Sequence, residues 1–326
     1  MKSKFVKIKD LGDAISRYLS IDITQTKSTE NSIPKVKINQ KEYMSKVTSK
    51  NAPTNNMKSI PADPAINLRL TPAGEESPTY DLVGEGRFLG DRTRPDILLA
   101  LSHLGSNMTK PSIIHHREAI RLFEYLNYTS DLSLNFGGDS IDLFAFSDAS
   151  YSPEGDSKSQ LGYTVFLNKY SGAFLSKSKK ATTVADSSAM SEIQALHLCL
   201  NEILWVRSIL KELGFIITHP SPIYIDNKAT EDLCNVYSNS EKTKHINMRI
   251  NKIRESIYLG EIHLIHIDTK NNIADIFTKP LARPQFEKLR DPLLNGLYQC
   301  NFSIPNPLSA SILSQTKALY SKLNIY

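Results

Sequence analysis

Four acidic residues in this chain are placed where they could do chemistry together. Asp148 ends the apolar and aromatic run Asp142-Leu143-Phe144-Ala145-Phe146-Ser147-Asp148, and a buried strand tolerates a bare carboxylate only if a cation or hydrogen bonds neutralise it. Glu192 lies on the apolar stripe of a helical pattern, Asp226 ends Pro222-Ile223-Tyr224-Ile225, and Asp275 sits in Asn272-Ile273-Ala274-Asp275-Ile276-Phe277. Taken singly, each acid reads as an N-cap, a turn residue or a solvated charge. Their spacings of 44, 34 and 49 positions are those of separate elements returning to one place, whereas acids on one surface helix recur every three or four residues. Clustered carboxylates repel and raise one another's pKa unless cations bind. Two Mg²⁺ ions about 4 Å apart, with Mn²⁺ as a substitute, would relieve that repulsion and support in-line hydrolysis of a phosphodiester.

The elements that must position these acids follow from periodicity. Between residues 133 and 182 the apolar period is two, predicting three antiparallel strands: the run ending at Asp148, Leu161–Leu167 and Gly172–Ser176. Ala195, Leu196, Cys199, Ile203, Val206, Leu210 and Leu213 then recur at steps of three or four, with Gly214 as a natural stop. Glu192, three and four positions earlier, shares that face. A parallel-type strand ending at Asp226, two helices (from Lys228 and after His245), the strand Ile262–Ile267 and a final helix from about Asn272 complete the pattern. The fold class expected is α/β, a mixed five-stranded sheet flanked by helices.

Upstream, Tyr18–Ile23 alternates like a strand, Val36–Gln40 reads as another, and Lys41–Val47 as a helix. Residues 49–77, with prolines at 53, 61, 64 and 72, read as a linker that packs little apolar surface. Residues 80–126 read as a small helical bundle, with Pro95 at a first helical position. Phe146, Tyr163, Tyr224 and Trp205 are expected in the core rather than stacked on bases. Residues 292–326 have weak periodicity and end in Lys317–Leu323, read as a peripheral helix.

At 326 residues the chain can hold two or three domains. Its formal net charge of +5 is uneven: residues 1–50 carry 11 Lys and Arg against 5 Asp and Glu, and the remainder is near neutral. Such a stretch fits phosphate-backbone contact or a solvated arm. Three cysteines without paired spacing support neither a disulfide framework nor a zinc knuckle, and a reducing compartment is expected. No leader-like h-region and no run of about 18 apolar residues occurs, so membrane spanning is not expected.

Residues 141–290 resemble the ribonuclease H domain of Ty1/copia-type LTR retrotransposons. The stretches that carry the resemblance are Phe146-Ser147-Asp148-Ala149-Ser150, Val184–Ile193, Tyr224-Ile225-Asp226-Asn227, Thr243-Lys244-His245 and Ile273–Leu281, the last being the most specific. Residues 5–136 resemble the C-terminal end of the reverse transcriptase of the same Pol polyproteins, through Ile8–Gly12, Leu82-Val83-Gly84 and Thr93–Ile97. The resemblance implies a mainly helical thumb- or connection-like region at 1–138, a ribonuclease H-like domain at 139–292 and a tail at 293–326.

It also implies that Asp148, Glu192, Asp226 and Asp275 are the catalytic, metal-binding set, with Asp148 shared by both ions. Lys242, Lys244 and His245 would lie near the backbone of an RNA–DNA hybrid. Ser150 and Asn227 are further contact candidates, with turn-capping as their default. Ala189-Met190-Ser191-Glu192 departs from the family's Thr-Glu-Ala-Glu pattern and loses its upstream acid. The mobile histidine of other ribonucleases H would fall near Asp268 and Thr269; His263 and His266 sit earlier and read as structural. No Tyr-x-Asp-Asp polymerase motif occurs in the chain, and the resemblance places its start after the fingers and palm. The expected activity is cleavage of the RNA strand of hybrids. The alternatives are an inactive remnant that only binds nucleic acid, or an integrase- or resolvase-type enzyme. The implied setting is the cytoplasm, a virus-like particle or the nucleus, with other Pol or Gag products as partners.

Overall fold

The computed structural model describes residues 16–26, 35–52, 56–69, 71–74, 79–151, 158–235, 244–298, 300 and 302–305, without the side chains of residues 16 and 244–247. Two sheets organise them. The first is antiparallel, with β1 (Ser16–Tyr18), β2 (Ile21–Thr26), β3 (Lys35–Asn39) and β4 (Leu134–Gly137) in that order. Tyr18–Ile23 is thus a hairpin rather than one strand: Leu19 and Ser20 turn the chain with φ of 48° and 63°. This left-handed pair matches the strand twist of a tight hairpin. Between β3 and β4 along the chain come α1 (Lys41–Asn51), α2 (Tyr80–Gly90), a 3₁₀ turn at Pro95–Ile97, α3 (Leu98–Gly105) and α4 (Ile113–Tyr128). Pro95 opens its turn, as its missing N–H allows.

The second sheet is the mixed five-stranded one expected. Its strands are β5 (Phe144–Ser150), β6 (Gln160–Phe166), β7 (Ala173–Lys180), β8 (Ser221–Ile225) and β9 (Ile262–His266), in the spatial order β7-β6-β5-β8-β9. β5, β6 and β7 pair antiparallel, and β8 joins β5 and β9 in parallel. The helices are α5 (Ser188–Glu212), α6 (Lys228–Asn235), α7 (Lys244–Tyr258) and α8 (Arg283–Asn295). The final helix expected from Asn272 is instead two 3₁₀ turns, Thr269–Asn271 and Ile273–Phe277, followed by α8. Pro280 disfavours helical backbone at the residue before it and so separates the turns from α8.

Strand alternation divides the core between the two faces of this sheet. Leu143, Ala145, Val165, Ile223 and Ile225 face α5 and α7. Phe144, Phe146, Phe166 and Tyr224 face the other way, in one continuous cluster with α1 to α4, the 273–277 turn and α8. Phe146 stacks on Tyr224 at 5.0 Å. Each such ring, buried, contributes about 2–3 kcal/mol.

Trp205, expected in the core, is 52% exposed. On α5 it sits one residue, about 100° of helical rotation, off the stripe that ends in Val206 and Leu210. The 49–77 stretch also differs from expectation. It is irregular among its described residues beyond Ala52, but Leu68 is buried, Ile60 and Ile66 pack on the core, and Asp63 pairs with Arg121 of α4 at 2.6 Å. Leu293, Leu294 and Leu297 are buried. Lys317–Leu323 lies outside the described residues.

His103 of α3 is buried, and burial, with Arg69 and Lys180 nearby, pulls its pKa down to about 4. A histidine held neutral in the fold takes up a proton first in the unfolded chain. Its contribution is therefore lost as pH falls from about 6.5 toward 4. We expect wild type to lose up to about 3 kcal/mol over that window relative to His103→Gln. Urea midpoints at intervals of pH measure the difference; parallel curves would show that His103 is not the group responsible.

Candidate active site

Asp148 is the fifth residue of β5 and shares a face with Phe144 and Phe146 by strand alternation. β8, parallel to β5, ends one residue before Asp226. α5 starts at its cap, where Met190 N–H donates to Ser187 Oγ at 3.3 Å, and places Glu192 on the second turn, 5% exposed. Three elements thus bring Asp148, Glu192 and Asp226 together, with one carboxylate oxygen from each within 4.8 Å of the others. Among the described residues this is the group of acidic, histidine or cysteine side chains arranged to hold a metal ion.

Asp275 comes close to Asp148 on the 3₁₀ turn after β9. Asn272 fixes that turn: its Oδ1 accepts from Ala274 N–H at 3.1 Å, and its amide donates to the Ser147 carbonyl at 3.0 Å. Lys279 Nζ lies 3.0 Å from Asp275 Oδ1 and 3.5 Å from Asp148 Oδ2, and Thr278 Oγ1 donates to the same Oδ2. Asp148 Oδ1 is buried with no partner.

The charges strain one another. Burial pushes the Asp148 carboxyl up against the opposing pull of Lys279 and Thr278. Burial, with Asp148 and Asp226 beside it, holds Glu192 well above the usual carboxylate range despite a hydrogen bond from the Ala149 backbone. Asp275 is pushed up to about 7, chiefly by burial and then by Asp148. Lys279 is held above its ordinary value because Asp148 and Asp275 outweigh its burial. Acids forced together in this way, one with an orphaned buried oxygen, are what a divalent cation would satisfy, and an all-oxygen donor set suits Mg²⁺ or Mn²⁺.

The other candidates are placed less centrally. Ser150 ends β5, half-buried, opposite Gln160. Asn227 follows Asp226, and its Oδ1 accepts from Thr230 N–H at 3.0 Å, capping α6. Lys242 lies outside the described residues, as do the side chains of Lys244 and His245 at the start of α7. His263 is half-buried on β9, and His266 is exposed at its end.

Sequence reasoning passed over Lys279, Thr278, Asn272 and Gly162 as individual residues. The Asp275–Lys279 spacing of four was a readable signal for the first. Gly162 of β6 stands opposite Asp148. A Cβ there would lie 2.7 Å from Thr278 Cγ2, 2.8 Å from Phe277 Cβ and 3.1 Å from the Ala274 carbonyl oxygen. Gly162→Ala should therefore displace the Asp275 turn. A stability loss of about 1–3 kcal/mol is expected. Urea unfolding measures it, and a variant as stable as wild type would disprove the packing role.

The class defined so far is an α/β protein with an acid cluster at the carboxyl ends of adjacent parallel strands, fit for divalent metal. No protein-family model matches the chain. It is 32% identical over 208 residues, 63% of its length, to the retrovirus-related Pol polyprotein from transposon RE2 of Arabidopsis thaliana. It is 28% identical over 301 residues, 89% of its length, to that from transposon TNT 1-94 of Nicotiana tabacum. Against the Ty1-DR5 Gag-Pol polyprotein of Saccharomyces cerevisiae it is 28% identical over 221 residues, 64% of its length. The chain is a homologue of Ty1/copia-type retrotransposon Pol polyproteins. It spans 14%, 22% and 12% of the length of those three relatives. Solved ribonuclease H1 structures from a compost metagenome and from Halobacterium salinarum align with TM-scores of 0.33 and 0.31 at 11% and 13% identity. Each covers 42% of this chain and 93% of its own. Scores this low add nothing to the reading of the site.

Proposed function

We propose that this chain is a metal-dependent endonuclease that hydrolyses the RNA strand of RNA–DNA hybrids, as the ribonuclease H part of a retrotransposon Pol protein. The observation that carries this reading is the meeting of Asp148, Glu192 and Asp226 from three separate elements, with Asp148 Oδ1 buried and unpartnered. The resemblance of the surrounding stretches to Ty1/copia ribonuclease H supports it. Asp148, Glu192, Asp226 and Asp275 are the residues that would hold divalent metal, Mg²⁺ by choice of donors and two ions in the working complex. Metal bound there supplies an activated water and neutralises the leaving oxygen.

The chain's own groups do the remainder. Burial of Asp148, Glu192 and Asp275 excludes bulk water from the acids and strengthens every charge interaction among them. Glu192 holds a proton on its carboxyl well above the usual range, so it must give that proton up to become a ligand, and metal affinity should rise with pH. Asn272 fixes the Asp275 turn against β5, and Thr278 orients Asp148. Discrimination of RNA from DNA rests on the 2′-OH and the A-like shape of the hybrid.

The same reading divides the chain at 138/139, between β4, which closes the first sheet, and β5 of the second. It also takes a retrotransposon particle, with other Pol and Gag products, as the natural setting. The test is cleavage by the purified chain of an end-labelled RNA–DNA hybrid with Mg²⁺, beside DNA duplex, RNA duplex and a chelator control. Cuts confined to the RNA strand of the hybrid and abolished by chelation are expected. Strand transfer on pure DNA, or a folded protein without cleavage, would refute the proposal.

A further inference from the structure

We infer that Lys279 is a built-in counter-cation that occupies the place of a second divalent ion until substrate arrives; this rests on the hydrolase reading above. The cluster is asymmetric. On one side Asp148, Glu192 and Asp226 offer oxygens within 4.8 Å of one another, and Asp148 Oδ1 has no partner. On the other side Asp148 Oδ2 already receives the Thr278 hydroxyl and lies 3.5 Å from Lys279 Nζ, which is 3.0 Å from Asp275 Oδ1.

An ion entering the first side meets Glu192 and Asp226, which have no ion-pair partner among the described residues, and the unpartnered Oδ1 of Asp148, with Lys279 in direct contact only with Asp148 Oδ2. One entering between Asp148 and Asp275 meets an ammonium already paired to both, and like charges a few ångströms apart repel strongly at a buried site. Lys279 is also the member of the group able to leave. Its side chain is 37% exposed, against 1% for Asp148 and 5% for Asp275, and a four-carbon stem reaches solvent readily. An incoming phosphodiester brings negative charge and oxygen ligands. It would draw the ammonium off Asp275 and leave both carboxylates to the second ion. Without nucleic acid, one ion should bind tightly and a second only weakly.

The experiment is titration calorimetry of the full chain with Mn²⁺ alone, at neutral pH and without nucleic acid. The proteins are wild type, K279Q, K279R and the double variant D275N/K279Q, with thermal shift as a second readout. Wild type and K279R should each show one tight ion. K279Q should gain a second ion bound at least about tenfold tighter than the second ion of wild type, and D275N/K279Q should return to one. Two equally tight ions in wild type, or identical isotherms for wild type and K279Q, would overturn the role of Lys279 and leave the hydrolase reading standing. Folded proteins that bind no Mn²⁺ in any of the four forms would bring down both together.

Discussion

Asp148→Asn should abolish hybrid cleavage, by about 10³-fold or more, and at the same time make the metal-free protein more stable at alkaline pH. The first effect follows from removing the acid that clusters with Glu192 and Asp226 and shares Lys279 with Asp275. A lost metal ligand removes several kcal/mol of transition-state stabilisation, and each 1.4 kcal/mol is tenfold in rate. The second follows from the sign of the pKa shift. Burial pushes the folded-state pKa of Asp148 above its unfolded value, so the folded state prefers the neutral acid. The penalty is therefore fully present above the folded pKa and fades as pH falls toward the unfolded one.

Asparagine keeps the shape and removes the charge. It gives up the Lys279 contact at 3.5 Å, but Lys279 keeps Asp275 at 3.0 Å. Thermal midpoints with chelator should favour the variant at pH 8 and converge with wild type near pH 4. Added Mg²⁺ should reverse the order by stabilising wild type alone. Cleavage at the wild-type rate, or a variant less stable at pH 8 without metal, would remove Asp148 from the centre of the site.

Arg94→Met should cost the fold about 3–5 kcal/mol, the usual consequence of breaking a buried ion pair. Arg94 and Asp96 are each 1% exposed. The guanidinium is bidentate on Asp96 at 3.0 and 2.8 Å, and it also donates to Thr129 Oγ1 at 2.7 Å and the Thr129 carbonyl at 3.2 Å. Tyr125 Oη donates to Asp96 Oδ2 at 2.5 Å. Burial alone would raise the Asp96 pKa, but Arg94 outweighs it and holds the carboxyl below its ordinary value.

A methionine fills the volume and leaves the buried Asp96 charge with only the Tyr125 hydroxyl and the weaker influence of Arg290. Removing both partners, as in Arg94→Met with Asp96→Leu, should recover part of the loss. Because the Asp96 pKa is depressed, its contribution is present above the unfolded value and lost as pH falls below about 4. Denaturant unfolding of the single and double variants is the measurement. A single variant within about 1 kcal/mol of wild type would show the network to be incidental. Tyr125 also packs edge-on to Phe286 of α8 at 5.8 Å, so this network ties the Pro95 turn and α4 to the side of the five-stranded sheet that carries Asp275.

Local pattern determined a great deal here. Period-two alternation marked β5, β6 and β7, and steps of three and four marked α5. The order of the acids along those elements brought Asp148, Glu192 and Asp226 to one end of the sheet, because a strand's last residue and a helix's inward face have fixed directions. What only the tertiary structure decided are the partners. Arg94 looked like part of a loop break and proved wholly buried, since its polar contacts come from residues 2, 35 and 50 positions away. Trp205 looked like core and faces solvent, since no element among the described residues covers that side of α5. Lys279 sits among the carboxylates because Asn272 and Gly162 let a 3₁₀ turn close onto β5 from 125 positions along the chain. Periodicity reports which way a side chain faces along its own element. Which charge meets which depends on long-range packing, and no local window contains it.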